Sequence, residues 1–490
     1  MPSKRLIGCC LYLTMMSALS LVVPAAHALQ VAPESPDRPW VIPAQPAMTR
    51  LPGDDNFAAQ SPGNPSIEHD RQYDLAALID LAQRTNPETR EAWEQARQAA
   101  LAVGLVESTY APQLSVQVIG GFQRTPLPIP TTLMPRGYFI SDTRELIPTL
   151  AVKWLLFDFG KRAGQKEAAR ANSFVANVAF TGVHQKLIFD VTRAYFALSA
   201  AKGRLRAAQQ AVDTAKVVQD ATTAKRRNGV ATVVATAQSD YQVAQAKVSL
   251  AKANGDARSA YTNLMAIMGL PAGTTLGVAT DSDQMLPPTP VETVDAYVKQ
   301  ALSNRPDVIA ALGKIHVAEG QIKSARAAYY PTISVEAQLY QNVGSLSTNG
   351  SPYYNINRPG GAIFFALNLP LFDGGARASR VSIARSQEAE AQSKLDQVRD
   401  TATQQVVQAY DDLQTTQEQY AAAVVLQKTA HVSYDAALQA FKQGVGTYTD
   451  LASGQTALAQ ADAALEDAHA SVYTASAALA LATGAIRSNP

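Results

Sequence analysis

Two long stretches of the chain carry apolar residues at helical spacing and contain no proline. Residues 149–270 and 371–489 include none of the 27 prolines in the sequence. In both stretches the apolar positions recur at steps of three and four residues. These positions are Leu187, Val191, Ala194, Leu198, Ala201, Leu205, Ala208, Val212 and Ala215, then Leu451, Gly454, Leu458, Ala461, Leu465, Ala468, Val472, Ala475 and Leu479. A strict seven-residue repeat predicts left-handed coiled-coil packing, and its small residues predict closely spaced helices.

Glycine-rich turns divide each stretch near its middle. The turn residues are Gly229, Val230 and Ala231 in the first stretch and Gly444, Val445, Gly446 and Thr447 in the second. Because glycine relieves backbone strain in tight turns, each stretch is predicted to form a helical hairpin. Arms of about sixty residues, at about 1.5 Å per residue, would each extend roughly 100 Å.

Shorter segments before these stretches alternate between apolar and polar residues. In "LSVQV" from Leu114 and "ISVEAQL" from Ile333, every second residue is apolar. A period of two predicts strands with one apolar face and one polar face. The returning strands, "TLAVKWLLF" and "GAIFFALNLPLF", are more apolar. Prolines at 126, 128, 130 and 135, and at 352 and 359, are expected in the loops between the strands of each pair.

A helix is predicted before each strand pair. Its start is marked by Thr85-Asn-Pro-Glu88 or Asn304-Arg-Pro-Asp307, where a capping side chain, a first-turn proline and an acid follow one another. Its end is marked by Pro112 or Pro331, since proline cannot continue a helix. These two prolines are the predicted helix-to-strand turns.

The order of helix, strand pair and hairpin occurs twice. Residues from 86 onward parallel residues from 305 onward at an offset of 219, and from the glycine joint onward, where Phe157 matches Phe372, the offset is 215. We therefore predict a signal peptide at 1–28, a proline-rich flexible segment at 29–73, a first structural repeat at 74–275, a linker at 276–295 and a second repeat at 296–488. Such internal self-similarity indicates an internally duplicated chain.

A similar joint follows the second strand of each pair. It consists of Asp158, Phe159 and Gly160 in the first repeat and of Asp373, Gly374 and Gly375 in the second. Aspartate is a good N-cap and glycine tolerates sharp bends, so these residues are predicted to turn a strand into a helix. A catalytic role would require a base or a metal partner at matched spacing, and the sequence shows neither.

Composition and charge narrow the classes of function. The formal net charge is +1, and no basic cluster is interleaved with aromatic residues, so nucleic-acid binding has little support. Cys9 and Cys10 are the only cysteines, and both lie in the predicted signal peptide. The six histidines are scattered, and no phosphate loop or nucleophile elbow occurs. We predict no enzyme activity, no catalytic residue, no cofactor and no metal site.

Four amphipathic strands are too few to close a membrane barrel, because the smallest ones use about eight. Closure would need several chains, and three would supply twelve strands. The sequence thus favours an α+β membrane protein whose β-barrel is closed by several chains. A sheet stacked on a helical bundle in a soluble protein is the alternative, but it would not bury helices of this length.

The duplicated pattern resembles the outer membrane efflux protein (TolC-like) family. The residues that carry the resemblance are "RPDV…AYYPTIS", "LPLFDGGARASR" and "FKQGVGTYTDL". The resemblance implies a homotrimer in the outer membrane of a Gram-negative bacterium. Its fold would be a trimeric 12-stranded β-barrel, with four strands per chain, continuous with a long α-helical coiled-coil barrel that crosses the periplasm. It implies a periplasmic adaptor (membrane fusion) protein, an inner-membrane pump of RND or ABC type, and export of small toxic compounds or polypeptides by efflux or type I secretion. The alternative is a periplasmic coiled-coil adaptor or a structural protein.

The resemblance also suggests roles for individual residues. The two turns would form the periplasmic tip that contacts the adaptor, although they could be tight turns and nothing more. Asp450 lies just past the second tip, and in a trimer three copies would form an acidic ring at the pore aperture. The first repeat has Ala235 at the corresponding position, and Ser453 is not acidic, so a second ring is missing. Asp450 could equally be a solvated helix charge.

Overall fold

A computed structural model describes residues 71–271, 273–280, 286–288 and 292–486, together with Ser35 and Asp37. The predicted signal peptide and nearly all of the predicted proline-rich segment lie outside the described residues. The elements are β1 (Gln72–Tyr73), α1 (Leu75–Thr85), α2 (Pro87–Ser108), β2 (Gln113–Pro128), β3 (Tyr138–Phe157), α3 (Lys161–Arg227), α4 (Val233–Ile267), β4 (Gly277–Val278), α5 (Val294–Asn304), α6 (Pro306–Ala327), β5 (Thr332–Thr348), β6 (Tyr354–Asn368), α7 (Ala376–Gln443) and α8 (Tyr448–Ala482).

The strands β2, β3, β5 and β6 form an antiparallel sheet in the order β2-β3-β5-β6. Its register aligns apolar residues on one face, since one row across the sheet consists of Leu114, Val152, Ala337 and Ile363. The adjacent row on the other face consists of Gln113, Lys153, Glu336 and Phe364. The alternation predicted from the sequence therefore produces a sheet with one apolar and one largely polar face.

The prediction that prolines fill the loops of this sheet was partly wrong. Pro126 and Pro128 lie within β2, and Pro359 lies within β6. Strands β2 and β6 are the two edge strands of the sheet. Each pairs with one neighbour only, so a proline can lie where its missing backbone N–H would point away from that neighbour. Pro130, Pro135 and Pro352 do lie in the connections between strands.

The two predicted helical hairpins are present, but their arms are unequal. The first arms, α3 and α7, have 67 and 68 residues, which corresponds to about 100 Å at about 1.5 Å per residue. The returning arms α4 and α8 have only 35 residues each. The prediction of about sixty residues for every arm was wrong for the returning arms. Each of them is completed by a second helix, α2 beyond α4 and α6 beyond α8.

The end of α4 meets the start of α2. The side-chain amide of Asn86 donates to the carbonyl oxygen of Ile267 at 2.8 Å, and the Thr85 hydroxyl donates to that of Met268 at 2.6 Å. In the second half, the Arg305 guanidinium donates to the carbonyl oxygen of Ala482 at 3.2 Å. These bonds satisfy carbonyl groups that a helix end leaves without a partner. Each returning arm thus continues in space, across a break, into a helix from earlier in the chain: α4 into α2 and α8 into α6.

The helix starts also differ from the prediction. Asn86, not Thr85, is the N-cap of α2, and its side chain accepts from the Glu88 amide at 2.6 Å. Arg305 occupies the N-cap of α6 and makes no side-chain cap bond, because a guanidinium only donates hydrogen bonds. It pairs with Asp307 at 2.7 Å. The Arg305–Asp307 ion pair therefore stands where the motif Asn304-Arg-Pro-Asp307 predicted a capping side chain.

The predicted coiled-coil seams lie in the core. Within α3 and α8 the seam residues are buried or half-buried, and Leu198, Val191 and Leu451 are almost fully buried. Among the described residues, no helix combines the length and apolar content that a membrane-crossing helix needs. Burial of the seam residues stabilises the long helices by packing them against one another.

The two halves have matching architecture. The paired helices have equal or nearly equal lengths, and Gln113 pairs with Lys153 in β2–β3 as Thr332 pairs with Asn368 in β5–β6. Gln113 and Thr332 are 219 positions apart, and Lys153 and Asn368 are 215 positions apart, which are the offsets found in the sequence. Within the predicted linker, β4 pairs in parallel with β1.

Candidate functional site

The first strand-to-helix joint is held by a buried ion pair. The Asp158 carboxylate accepts a hydrogen bond from Arg162 Nε at 2.8 Å and from the Arg162 backbone amide at 3.0 Å. Both side chains are 7 % exposed. The same guanidinium donates to the carbonyl oxygens of Thr109, Leu155 and Leu156 at 3.0, 2.8 and 3.2 Å. One arginine therefore connects the end of α2, the end of β3 and the start of α3.

The second joint has the same arrangement. Arg377 Nε donates to the Asp373 carboxylate at 3.0 Å, and its guanidinium donates to the carbonyl oxygens of Pro370 and Leu371 at 2.6 and 3.2 Å. The guanidinium lies over the Tyr329 ring at 5.2 Å, as that of Arg162 lies over Tyr110 at 4.4 Å. Such stacking stabilises a planar cation. Asp373 is more exposed than Asp158, at 27 %.

The glycines of the joints occupy left-handed backbone conformations. Gly160 and Gly375 are the N-caps of α3 and α7, with φ values of 101° and 89°. Gly374 has a φ of 66°, and Phe159 takes the same place in the first joint with a φ of 50°. The prediction that the aspartates are N-caps was wrong by two positions. Each carboxylate lies two residues upstream of the N-cap and accepts the amide of the second helical residue.

Each joint thus includes an arginine, Arg162 or Arg377, beside the predicted aspartate and glycines. The signal was present, because "DFGKR" and "DGGAR" both place an arginine four residues after the aspartate. The predicted helix-to-strand turns, Pro112 and Pro331, directly precede β2 and β5. Tyr330, beside Pro331, stacks on Phe159 at 5.7 Å between ring centroids. The second turn thus contacts the first joint.

Glu107, near the end of α2, pairs with α3 just below the first joint. Its carboxylate lies 2.8 Å from Lys166 Nζ and 3.1 Å from Arg170 Nη2. The hydrogen bond from Lys166 lowers the pKa of Glu107, and partial burial opposes that shift without cancelling it. This ionised carboxylate fixes α2 against α3.

The predicted tip residues form two exposed turns. Gly229 and Gly444 have positive φ values of 73° and 83°, as the sequence predicted for helix-ending turns. Val230 and Val445 are 73 % and 81 % exposed. Each turn therefore presents a valine to solvent at the end of its hairpin.

Lys225, in the last turn of α3 beside the first tip, is half-buried. Lys225 Nζ donates to the carbonyl oxygen of Phe441 and lies 4.1 Å from the centroid of its ring. The end of α7 therefore lies beside this cation. Lys225 connects the tip of the first hairpin to that of the second.

Asp450 lies in the first turn of α8 and belongs to a capping box. Its carboxylate accepts from the Thr447 hydroxyl at 2.6 Å, while its amide donates to the Thr447 hydroxyl at 3.2 Å. This pair satisfies backbone groups at the helix start. The pore role of Asp450 stays a prediction, and the residue has a local structural role beside it. In the part of the chain that is described, no group of three or more acidic, histidine or cysteine side chains is arranged to bind a metal ion.

Comparison with known proteins agrees with this architecture. The sequence model of the outer membrane efflux protein family matches residues 78–270 and 297–485. Protein CyaE of Bordetella pertussis is 26 % identical over 393 residues, 79 % of this chain and 79 % of that protein. The cation efflux system protein CusC of Escherichia coli O157:H7 is 23 % identical over 384 residues, 77 % of this chain and 78 % of that protein.

Solved structures have the same fold. A crystal structure of CusC is similar with a TM-score of 0.69 and 21 % identity, covering 84 % of this chain and 92 % of that one. The family model covers most of both predicted repeats, each with its helix, strand pair and hairpin. The chain therefore belongs to the outer membrane efflux protein family.

Proposed function

We propose that three copies of this chain form the outer-membrane exit duct of a tripartite efflux pump or type I secretion system. The observation that carries the proposal is the continuity between an amphipathic sheet and helices of 67 and 68 residues through two arginine-held joints. Four strands per copy give a 12-stranded barrel with its apolar face toward lipid, and the helices continue as a coiled-coil barrel across the periplasm. The matched halves support an internal duplication as the origin of the protomer.

The partners follow from the same arrangement. The duct has no energy source of its own in this proposal, so an inner-membrane pump of RND or ABC type drives transport. A periplasmic adaptor protein connects that pump to the hairpin tips. Exposed valines at both tips supply an apolar contact for the adaptor.

The alternative function, a periplasmic adaptor or structural protein, has less support. One helical hairpin with soluble β-domains would suffice for an adaptor. This chain has two hairpins and a sheet that leaves Val116 and Phe365 more than 70 % exposed. An exposed apolar face of that extent favours contact with lipid.

Purification from outer membranes and single-channel recording test the proposal. We expect a trimer that conducts ions in a planar bilayer and a deletion strain that accumulates its cargo. Sensitivity to metal ions and antibiotics and the amount of secreted protein, measured in the same strain, identify the cargo. A monomeric, non-conducting protein in the soluble periplasmic fraction would contradict the proposal.

A further inference from the structure

The two halves of the chain differ in one group of charged side chains below the sheet. In the first half, the Glu107 carboxylate lies between two cations, 2.8 Å from Lys166 Nζ and 3.1 Å from Arg170 Nη2. At the offset of 219, residue 107 corresponds to Arg326 of α6, and at the offset of 215, residue 170 corresponds to Arg385 of α7. The second half therefore has an arginine where the first half has its carboxylate.

Contacts one turn away confirm that these positions correspond in space as well as in sequence. The guanidinium of Arg162 lies over the Tyr110 ring at 4.4 Å, and that of Arg377 lies over the Tyr329 ring at 5.2 Å. The two tyrosines are 219 positions apart, and the two arginines are 215 positions apart. The end of α6 thus packs on the start of α7 as the end of α2 packs on the start of α3. This packing brings the two arginines of the second half side by side.

No acid neutralises this arginine pair within the residues that the structure describes. Arg326 and Arg385 are both exposed, and neither guanidinium makes a hydrogen bond or an ion pair there. Helix α6 packs between α3 and α7 of the same chain. On the α3 side, Glu167 is already paired with Lys323 at 2.6 Å. On the α7 side, Glu388 forms no ion pair with either arginine.

Two adjacent guanidinium groups without an acid indicate a site for an anion. Like charges repel each other, and in the first half the Glu107 carboxylate offsets the repulsion between its two cations. A guanidinium can donate two parallel hydrogen bonds to the oxygens of a phosphate. A phosphate between Arg326 and Arg385 would therefore take the place that the carboxylate has in the first half.

The surroundings of the arginine pair favour a phosphate that belongs to a lipid. Tyr329 and Tyr330 directly follow α6 and are 47 % and 55 % exposed, while Leu371 and Phe372, just before α7, are 86 % and 89 % exposed. Exposed apolar residues favour contact with lipid, and tyrosines are enriched where a membrane meets water. Arg326 lies one helical turn before these tyrosines. In the proposed duct, it is therefore at the level of the lipid headgroups.

We propose that Arg326 and Arg385 bind the phosphate of an anionic phospholipid in the periplasmic leaflet of the outer membrane, one headgroup per chain. The location rests on the proposed function, because it requires the sheet to lie in the membrane with the helices below it. A zwitterionic headgroup is disfavoured, since its ammonium group would be repelled by the two arginines. The corresponding position of the first half is closed to a headgroup, because Glu107 occupies it.

Retention of lipid by the purified trimer tests the site. Wild-type protein in detergent is mixed with dioleoylphosphatidylglycerol, and bound lipids are counted by native mass spectrometry. We expect one bound lipid per chain. Arg326→Glu should abolish binding and keep the fold, because it reproduces the carboxylate that the first half already accommodates. Arg385→Gln should weaken binding about fivefold, because one basic residue near a charged lipid surface contributes about that factor.

Arg170→Gln is the matched control, since it removes the arginine at the corresponding position of the first half. We expect it to retain as much phosphatidylglycerol as the wild type. Equal losses from Arg170→Gln and Arg385→Gln would overturn the site, because they would indicate a response to overall surface charge. Unchanged binding in Arg326→Glu would overturn it as well.

Two further probes identify the source of the phosphate. Equal retention of dioleoylphosphatidylethanolamine would overturn the choice of an anionic headgroup, and displacement of the lipid by equimolar inorganic phosphate would overturn the choice of a lipid. A wild-type trimer that conducts ions but retains no phosphatidylglycerol would overturn this inference alone. A soluble, non-conducting monomer would instead contradict the proposed function.

Discussion

The guanidinium of Arg162 and the carboxylate of Asp158 form an ion pair at 2.8 Å that is almost fully withdrawn from solvent. The ion pair lies between the last residues of β3 and the first turn of α3. It therefore holds the joint at which the strand ends and the helix begins. The guanidinium also reaches the carbonyl oxygen of Thr109 on the chain before β2. One side chain thus determines the relative placement of three segments.

Replacing Arg162→Ala should strongly destabilise the joint, because a buried carboxylate and three carbonyl groups would lose their donor. Removal of one partner of a buried pair costs about 3–5 kcal/mol. Arg377→Ala should cause a smaller loss, since Asp373 is more exposed. The temperature at which the proposed trimer dissociates in detergent measures both effects. Arg193→Ala, in an exposed pair, serves as the control and should change stability by less than about 0.5 kcal/mol. Equal losses for all three variants would contradict the role of the buried pair.

The two glycines of the second joint should differ in their tolerance of substitution. Gly375→Val should prevent trimer assembly, since its φ of 89° is unfavourable for a β-branched residue. Gly374→Phe should assemble normally, because Phe159 already occupies the corresponding place in the first joint at a φ of 50°. The amount of trimer in outer membranes is the measurement. Failure of both variants would mean that Gly374 has a role that the first joint does not share.

Polar substitution at the hairpin tips should abolish transport without affecting assembly. Val230→Ser and Val445→Ser change two side chains that are largely exposed and make few contacts within the chain. We expect normal trimers, lost crosslinking to the adaptor and a transport defect equal to that of the deletion strain. Val248→Ser, a similarly exposed valine in α4 away from the tip, is the matched control. Transport at the wild-type level in the double variant would argue that the tips are turns only.

Asp450→Asn separates the charge of Asp450 from its capping role. An asparagine oxygen can still accept from Thr447, so the start of α8 should remain intact. If three carboxylates form a ring at the aperture, loss of their charge should reduce the preference for cations over anions. Reversal potentials in a salt gradient measure this ratio. An unchanged ratio would leave Asp450 with its structural role alone.

Acidification should weaken the contact between α2 and α3. The folded-state pKa of Glu107 is lowered from its ordinary value of 4.5, chiefly by the hydrogen bond from Lys166. A depressed carboxyl pKa contributes stability that is complete above the unfolded value and is lost as the pH falls below about 4.5 through the folded value. Glu107→Gln should therefore reduce the stability at pH 7 and flatten its dependence on pH below 4.5. Unfolding of the two proteins followed from pH 7 to pH 3 tests this, and parallel curves would contradict it.

The period-two and seven-residue patterns were sufficient to predict the strands, the seams and the two hairpins. Those features depend on local geometry, because side-chain direction repeats every two residues in a strand and every seven in a coiled coil. The positive φ values at Gly229 and Gly444 were predictable for the same reason, since few other residues adopt them easily. The capping box of Thr447 and Asp450 is likewise a local motif, because its two residues are three positions apart.

Other features were decided only when distant segments met. The sequence indicates no partner for Arg162 beyond the nearby aspartate, and Thr109 lies 53 residues away from it. The Lys225 contact with Phe441 spans 216 residues. The break at which Asn86 joins α2 to the end of α4 spans 181 residues. Sequence periodicity determined the kind of element and which face it buries. The tertiary structure determined where each helix ends and which carbonyl each cation satisfies, because hydrogen bonds between segments require coordinates that no local pattern contains.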